Sequence, residues 1–187
     1  MQQSRSSKST ANSTTVSARA SNVMARNAYK FVDHWHIPYP IEMVWEALSL
    51  PEHYPTWWQG VYLSARPLVD TARGGTGRRV AVVARGWLPY RLRFTVETLN
   101  LQKPHLIEFK ASGDFVTDAS RWLLDSEASG TSVTLEWNPR VEKSVVKFFS
   151  PILKPVFRWN HRWTMKRGET QLTAYLKQNA IRQTNSV

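Results

Sequence analysis

Residues 31–58 most strongly restrict how this chain can fold, and they read FVDHWHIPYPIEMVWEALSLPEHYPTWW. Phe31–Ile37 alternate in the way that predicts a β-strand. After Pro40, apolar residues recur at i, i+3, i+4 and i+7, which predicts an amphipathic helix. A second short turn opens at Pro51, and paired tryptophans close the segment. The pattern is therefore a strand, a short helix, a second turn and an aromatic cluster.

Beyond these tryptophans the apolar period changes to two, which predicts a run of further strands. Six are expected, at residues 60–69, 79–85, 90–99, 106–111, 121–126 and 132–138. Turn signals separate them at Gly74–Gly77, at Pro104 and at Gly130. Hairpin spacing of this kind predicts an antiparallel meander with one apolar and one solvated face.

The last element is predicted to be a long helix. Ser150 and Pro151 form an N-cap followed by proline at the first helical position, and the helix is expected to run to about Lys177. One stripe of this helix is expected to lie against the sheet, with Gly168 allowing a close approach. The stripe consists of Phe157, His161, Met165, Gly168, Leu172 and Leu176.

Composition separates a tail from a folded domain. Residues 1–28 are rich in Ser, Thr, Ala and Asn, carry basic but no acidic residues, and are expected to be disordered. A folded domain is expected over 29–178, followed by a flexible tail over 179–187. A cytoplasmic location is expected, or an organellar one if residues 1–28 are a transit peptide. The sequence leaves the oligomeric state open.

The order of these elements, together with several short motifs, resembles the START-like superfamily, also called SRPBCC, and within it the polyketide cyclase/dehydrase-like branch. The matching residues are Pro40 to Trp45, His53 to Pro55, Trp57-Trp58, Leu88-Pro89-Tyr90, Gly113-Asp114, Arg121-Trp122, Gly130-Thr131, Trp137, Asn160-His161, Met165, Gly168 and Leu172. The resemblance implies an α+β helix-grip fold, in which the antiparallel sheet wraps around the C-terminal helix. It also implies a class of function, which is holding an apolar small molecule.

Nine tryptophans in 187 residues suit a core together with a ring-lined cavity. The cavity is expected between the concave face of the sheet and the C-terminal helix, with mostly apolar walls. Its predicted ligand-binding residues are Tyr54, Trp58, Phe94, Phe109, Trp122, Trp137, Phe157 and His161.

Two ionisable residues have more than one interpretation. His161 is central to the helix stripe. It is a core histidine whose nitrogens are satisfied by neighbours, a residue that makes a polar contact to ligand, or a general base. Asp33 shares a strand face with Phe31 and Trp35. It is either half of a salt bridge near the sheet rim or a buried acid with a raised pKa.

Other chemistry lacks support in the sequence. The chain has no cysteine, and the strand pair His34 and His36 has no further residues at ligand spacing, so neither metal nor cofactor is expected. Nucleic acid is the obvious partner for a formal charge of +11. However, Phe94 and Phe109 are expected on the core face, opposite the charges, whereas a nucleic-acid surface needs rings and cations together.

Three hypotheses of function follow. The protein is a carrier or sensor for an apolar or amphipathic molecule, an enzyme using one acid–base residue on a polyketide-like substrate, or a partner-binding module with a collapsed pocket. Docking to an anionic membrane surface is a further hypothesis, and its alternative is that the tryptophans concerned face the cavity or pack on the sheet. It rests on Trp87, Leu88, Trp159 and Trp163 and on the basic residues Lys147, Lys154, Arg158, Arg162 and Lys166.

Overall fold

A computed structural model describes residues 30–68, 75–140 and 154–184. The elements in chain order are β1 (Phe31–Ile37), α1 (Ile41–Leu48), a 3-10 turn (Pro51–His53), α2 (Tyr54–Trp57), β2 (Tyr62–Pro67), β3 (Arg79–Ala84), β4 (Leu92–Gln102), β5 (Leu106–Gly113), β6 (Val116–Thr117), β7 (Ser120–Glu127), β8 (Gly130–Trp137), β9 (Pro139–Arg140) and α3 (Lys154–Thr184). The expected tail at 1–28, the turn residue Gly74 and the helix cap at Ser150 and Pro151 lie outside the described residues.

Seven strands form one antiparallel sheet in the order β1-β8-β7-β5-β4-β3-β2. The strands from β2 to β8 form a meander, and β8 at its end pairs with β1, the first strand in the chain. Each strand predicted by alternation is present, with ends that move by a few residues; β4, for example, runs to Gln102 rather than residue 99. A second sheet, of the short strands β6 and β9, was not predicted. The helix-grip fold predicted from the sequence is confirmed.

The C-terminal half of α3 packs against the aromatic core. Leu172 is completely buried there. A Cβ atom at Gly168 would lie 2.5 Å from Trp58 Cζ2 and 3.0 Å from Trp35 Cη2, so glycine is what lets the helix approach the two rings. The Trp58 indole donates a hydrogen bond to the Thr164 carbonyl at 3.2 Å, which fixes α2 to α3. The close approach predicted at Gly168 is therefore confirmed.

The predicted helix end near Lys177 is wrong. α3 continues to Thr184 and so includes residues expected in a flexible tail. No glycine or proline follows Gly168 in the sequence, so nothing stops the helix at Lys177. No helix in the described ranges is long and apolar enough to cross a bilayer.

Candidate ligand-binding cavity

A cavity of about 450 Å³ lies between the concave face of the sheet and α3. Its floor comes from β4, β5, β7 and β8, for example Phe94, Phe109 and Leu135. One wall comes from the segment after α1, including Tyr54 and Trp58. The opposite wall consists of α3 residues that precede Gly168, namely Asn160, His161, Thr164 and Met165. The sheet curvature and the short helices thus leave a space that the N-terminal half of α3 does not fill.

Most residues predicted to bind ligand line this cavity. They are Tyr54, Trp58, Phe94, Phe109, Trp122, Trp137 and His161. Phe157 belongs to α3, but its side chain is outside the described part of the chain. A position on the cavity wall is compatible with ligand binding without testing it, so the binding role of these residues stays a prediction.

Aromatic rings form a continuous series along one side of the cavity. Phe94 contacts Phe115 with ring centroids 4.7 Å apart, and Phe115 meets Trp137 edge-on at 5.7 Å. Trp137 then stacks on the imidazole of His161 at 5.2 Å, with an angle of 11° between the planes. Offset and edge-on contacts of this kind stabilise ring packing beyond the buried area itself. The series gives the cavity an aromatic, apolar side that ends at an ionisable group.

His161 and Asp33 form a hydrogen-bonded pair at the end of this series. His161 Nε2 lies 2.7 Å from Asp33 Oδ2, and the side chains are only 11% and 17% exposed. Alternation in β1 places Asp33 on the inner face, and α3 brings His161 to it from the opposite layer. Asp33 is therefore paired with a histidine, and the contact is the salt bridge of one of its two interpretations when His161 is protonated. The sequence did not indicate that its partner would be His161.

The tyrosines of the cavity are held in the neutral form. Burial raises the pKa of Tyr54, Tyr62 and Tyr90 above the ordinary tyrosine value. The Tyr54 hydroxyl donates to the Leu48 carbonyl at 2.7 Å, so it already has an acceptor inside the protein. His161, which Asp33 holds from behind, therefore adds an ionisable group to this mostly apolar wall, to which Arg85, Arg91 and Asp114 also contribute.

Residues 85–91, which join β3 to β4, are attached to α3 at the cavity edge. Asn160 Oδ1 accepts hydrogen bonds from the backbone N–H groups of Trp87 at 2.7 Å and Leu88 at 3.2 Å. Gly86 lies so close to the Asn160 amide that a Cβ there would collide with it. Trp87 and Trp159 pack edge-on with centroids 4.6 Å apart, yet remain 59% and 43% exposed. The result is an exposed tryptophan pair beside the cavity.

Several cavity residues were missed in the sequence analysis, for different reasons. Phe31 lies 4.2 Å from the His161 ring, and it could have been found because it shares a strand face with Asp33. Phe115 lies in a connection outside the regular strands, so periodicity gives no signal for it. Tyr90 falls on the Phe94 face of the strand predicted at 90–99, so it could have been found. Asn160 matched a family motif, but its role in holding residues 85–91 depends on a contact between distant segments.

The strand histidines point away from the cavity. His34 Nδ1 contacts Thr134 Oγ1 at 3.0 Å, and His36 Nδ1 pairs with Glu127 Oε2 at 3.2 Å on the exposed face. Within residues 30–68, 75–140 and 154–184, no three His, Cys, Asp or Glu side chains are grouped as they would be to hold a metal ion. Both histidines thus have surface partners.

Comparison with known proteins agrees with this geometry. Residues 29–177 match the family described as polyketide cyclase / dehydrase and lipid transport. The chain belongs to this family. A search of curated proteins found no match.

Solved structures share the fold at low sequence identity. A protein from Thermus thermophilus is 18% identical, with a TM-score of 0.60 over 79% of this chain and 98% of that chain. The Zhui aromatase/cyclase from a Streptomyces species is 10% identical, with a TM-score of 0.63 over 82% and 94%. A norcoclaurine synthase point mutant from Thalictrum is 13% identical, with a TM-score of 0.55 over 82% and 96%. At these identities the likeness shows the fold alone, and the family membership indicates hydrophobic ligand binding or a polyketide cyclase type of role.

Proposed function

We propose that the protein binds an apolar or amphipathic small molecule, lipid-like, aromatic or polyketide-like, in this cavity and acts as its carrier or sensor. The observation that carries the proposal is the cavity of about 450 Å³ with its series of aromatic rings. Small-molecule sites usually occupy roughly 300–1,000 Å³ and combine apolar walls with a few placed polar groups. Tyr54, Trp58, Phe94, Phe109, Trp122, Trp137, Phe157 and His161 are the residues proposed to contact the ligand.

Titration with N-phenyl-1-naphthylamine tests whether the cavity accepts an apolar guest. This uncharged fluorophore brightens when it leaves water, so we expect saturable binding with one site per chain. Val96→Trp would place an indole in the cavity, because Val96 lines it and is half-buried. We expect this variant to lose at least about 90% of the signal, which corresponds to a tenfold or larger loss of affinity.

The matched control is Val32→Trp, which adds the same indole on the exposed face of β1, where Val32 is 46% exposed. It is expected to bind the fluorophore as the unmodified protein does. Equal binding by both variants would contradict a site in the cavity. Absence of saturable binding by the unmodified protein would favour the collapsed-pocket alternative.

The Asp33–His161 pair favours an enzyme as the second candidate. A histidine oriented by a carboxylate is a common general base, and such a group contributes about 10²–10⁴-fold to a rate. The substrate would be an aromatic or polyketide-like chain whose reactive atoms the cavity brings together. Product formation from a synthetic poly-β-ketone thioester tests this candidate. A turnover that falls about 10²-fold or more in His161→Gln would support it, and no turnover in the unmodified protein would exclude this substrate.

We further propose that the ligand is collected at an anionic membrane surface. Trp87 and Trp159 form an exposed pair beside the cavity, and amphipathic rings are favoured at headgroup depth. Arg158, Arg162 and Lys166 are exposed on the same part of α3, and each basic residue near such a surface contributes about 1 kcal/mol. Lys147 lies outside the described residues, as does the side chain of Lys154, so the proposal rests on the other three cations.

Vesicle flotation compares two double variants of equal charge change. Arg158→Glu with Arg162→Glu should abolish binding to phosphatidylserine vesicles at low salt. Lys103→Glu with Lys177→Glu, at the far end of β4 and in the distal half of α3, should retain it. Salt should weaken the interaction by screening, and neutral vesicles should not bind. Equal loss in both variants would mean that only net charge matters.

We infer a cytoplasmic location, with an organellar one as the alternative. The full chain and a version lacking residues 1–28 can be compared as fluorescent fusions. Diffuse fluorescence from both would support the cytoplasm, whereas organellar fluorescence that requires residues 1–28 would support a transit peptide.

A further inference from the structure

The Asp33–His161 contact determines which atom of the imidazole remains for a ligand. An ionised carboxylate only accepts hydrogen bonds, so His161 Nε2, 2.7 Å from Asp33 Oδ2, carries the hydrogen. In the neutral imidazole the other nitrogen, Nδ1, then holds a lone pair and accepts. Nδ1 makes no hydrogen bond to any described part of the chain. His161 lines the cavity, so its remaining ring nitrogen there is an acceptor without a donor.

Two aromatic neighbours hold this acceptor in place. Trp137 stacks on the imidazole with planes 11° apart, and Phe31 lies against it with centroids 4.2 Å apart. Rotation of the ring would break the bond to Asp33 as well as both ring contacts. The direction of the Nδ1 lone pair is therefore set before a ligand binds, which lowers the entropy cost of using it.

Three other polar side chains of the cavity wall are already engaged. The Tyr54 hydroxyl donates to the Leu48 carbonyl, and Asn160 Oδ1 accepts two backbone N–H groups. Asp114 Oδ2 accepts from the backbone N–H of Arg93 at 2.7 Å and belongs to an exposed residue. A ligand placed along the rings would contact His161, whose side chain is mostly buried. A ligand that leaves Nδ1 without a hydrogen bond would therefore bind with a less favourable free energy.

We propose that the ligand of this cavity carries a phenolic or enolic hydroxyl, and that this hydroxyl donates its hydrogen bond to His161 Nδ1. The inference rests on the proposed function and narrows its ligand class. An aromatic ring bearing the hydroxyl matches both features of the wall, the series of aromatic rings and the acceptor at its end. Ethers and ketones lack the hydrogen and leave Nδ1 unsatisfied. Asp33 acts as a positioning residue, because it fixes the tautomer of His161.

The matched probes 2-naphthol and 2-methoxynaphthalene separate hydrogen bonding from hydrophobicity. They share one ring system, and the ether replaces the hydroxyl hydrogen with a methyl group. Burial of that additional carbon alone would make the ether bind about fourfold tighter. We expect the opposite in mildly alkaline buffer, where free imidazole is uncharged. 2-Naphthol should displace N-phenyl-1-naphthylamine at a concentration at least about tenfold lower than the ether.

Three variants assign the preference to its residues. His161→Phe keeps an aromatic ring between Trp137 and Phe31 but cannot accept, so the ether should become the tighter ligand. Asp33→Asn retains His161 while the amide can impose the other tautomer, so the hydroxyl preference should fall several-fold. Asp114→Ala removes another acceptor near the cavity and should keep the preference. Circular dichroism checks folding, and Asp33→Leu with His161→Phe removes both polar partners together if His161→Phe does not fold.

Each outcome bears on one of the two proposals. Tighter binding of 2-naphthol that is lost in His161→Phe supports the hydroxyl ligand. Equal affinity for the two probes, or a preference that survives His161→Phe, overturns it while leaving an apolar carrier intact. Loss of the preference in Asp114→Ala assigns the hydroxyl to a different acceptor and also overturns it. Binding of neither naphthalene nor N-phenyl-1-naphthylamine contradicts the carrier function itself.

Discussion

The two halves of helix α3 share one apolar stripe but meet different surroundings. In the distal half, Gly168 lies against the rings of Trp35 and Trp58, and Leu172 and Leu176 are buried at 0% and 3% exposure. In the proximal half, His161 faces the cavity of about 450 Å³. Within a single helix, therefore, one half contributes to stability and the other forms a binding wall.

The sheet determines this difference more than the helix does. Beneath the distal half, the rings of Trp58 and Trp35 lie against Gly168 and Leu172 is completely buried, so α3 packs closely there. Near the proximal half, Phe31 and Trp137 lie beside His161 and leave room in front of it. A hydrophobic stripe in the sequence predicts which face turns inward, whereas it does not predict whether that face meets side chains or empty space.

Leu172→Ala should have the largest effect on stability. Removal of a completely buried leucine costs about 2–5 kcal/mol of unfolding free energy. Urea unfolding measures it, with exposed Lys177→Ala on the same half as the control. The folded fraction should bind N-phenyl-1-naphthylamine with unchanged affinity. A lower affinity of the folded Leu172→Ala protein for the fluorophore would mean that the distal half of α3 also contributes to binding.

Gly168→Ala tests how closely the distal half of α3 packs on the sheet, because helix propensity and core packing have opposite effects on its stability. Alanine favours a helix over glycine by about 1 kcal/mol. Here, however, the new Cβ would lie 2.5 Å from Trp58 Cζ2, and overpacking of a core costs about 1–3 kcal/mol. Net destabilisation is expected, seen as a lower Tm. A stabilised variant would show that the helix and the rings are not in close contact.

Alkaline pH should have the next largest effect, by lowering the free energy of unfolding. Burial raises the pKa of Tyr54 and Tyr62 above the ordinary 10.0, so the folded protein keeps protons that the unfolded chain releases. This contribution to stability is complete below pH 10.0 and decreases above it as pH rises, by about 1.4 kcal/mol per pH unit for each such group. Urea unfolding at several pH values measures the effect, and the free energy of unfolding of Tyr62→Phe should decline less steeply with pH than that of the unmodified protein. Parallel declines in the two proteins would contradict burial of the Tyr62 hydroxyl.

Asn160→Ala should have the smallest effect on stability, about 0.5–1 kcal/mol, because it removes hydrogen bonds at a partly exposed edge. The Trp87 and Leu88 amides would lose their acceptor. Faster hydrogen exchange of residues 86–91, with no change in the distal half of α3, is the expected result. Exchange that rises throughout the helix would indicate a structural role instead.

The fold was more predictable than the site. Alternation and helical spacing depend on neighbours in the chain, so β1, the meander and the inner face of α3 follow from the sequence. The link between Asp33 and His161 joins residues far apart in the chain, and local patterns carry no information on such pairs. Phe115 lies in an irregular connection, and the anchoring of residues 85–91 by Asn160 also depends on tertiary contact. The end of α3 was missed because no residue marks it.

Native mass spectrometry of the full-length protein purified from its own source tests most directly whether the cavity holds a small molecule. The protein should carry a bound small molecule under gentle conditions and lose it on collisional activation. Val96→Trp, expressed in the same source, should be free of that molecule, while Val32→Trp should retain it. A natural protein with only the mass of its chain, or an adduct that persists in Val96→Trp, would contradict a ligand held in this cavity.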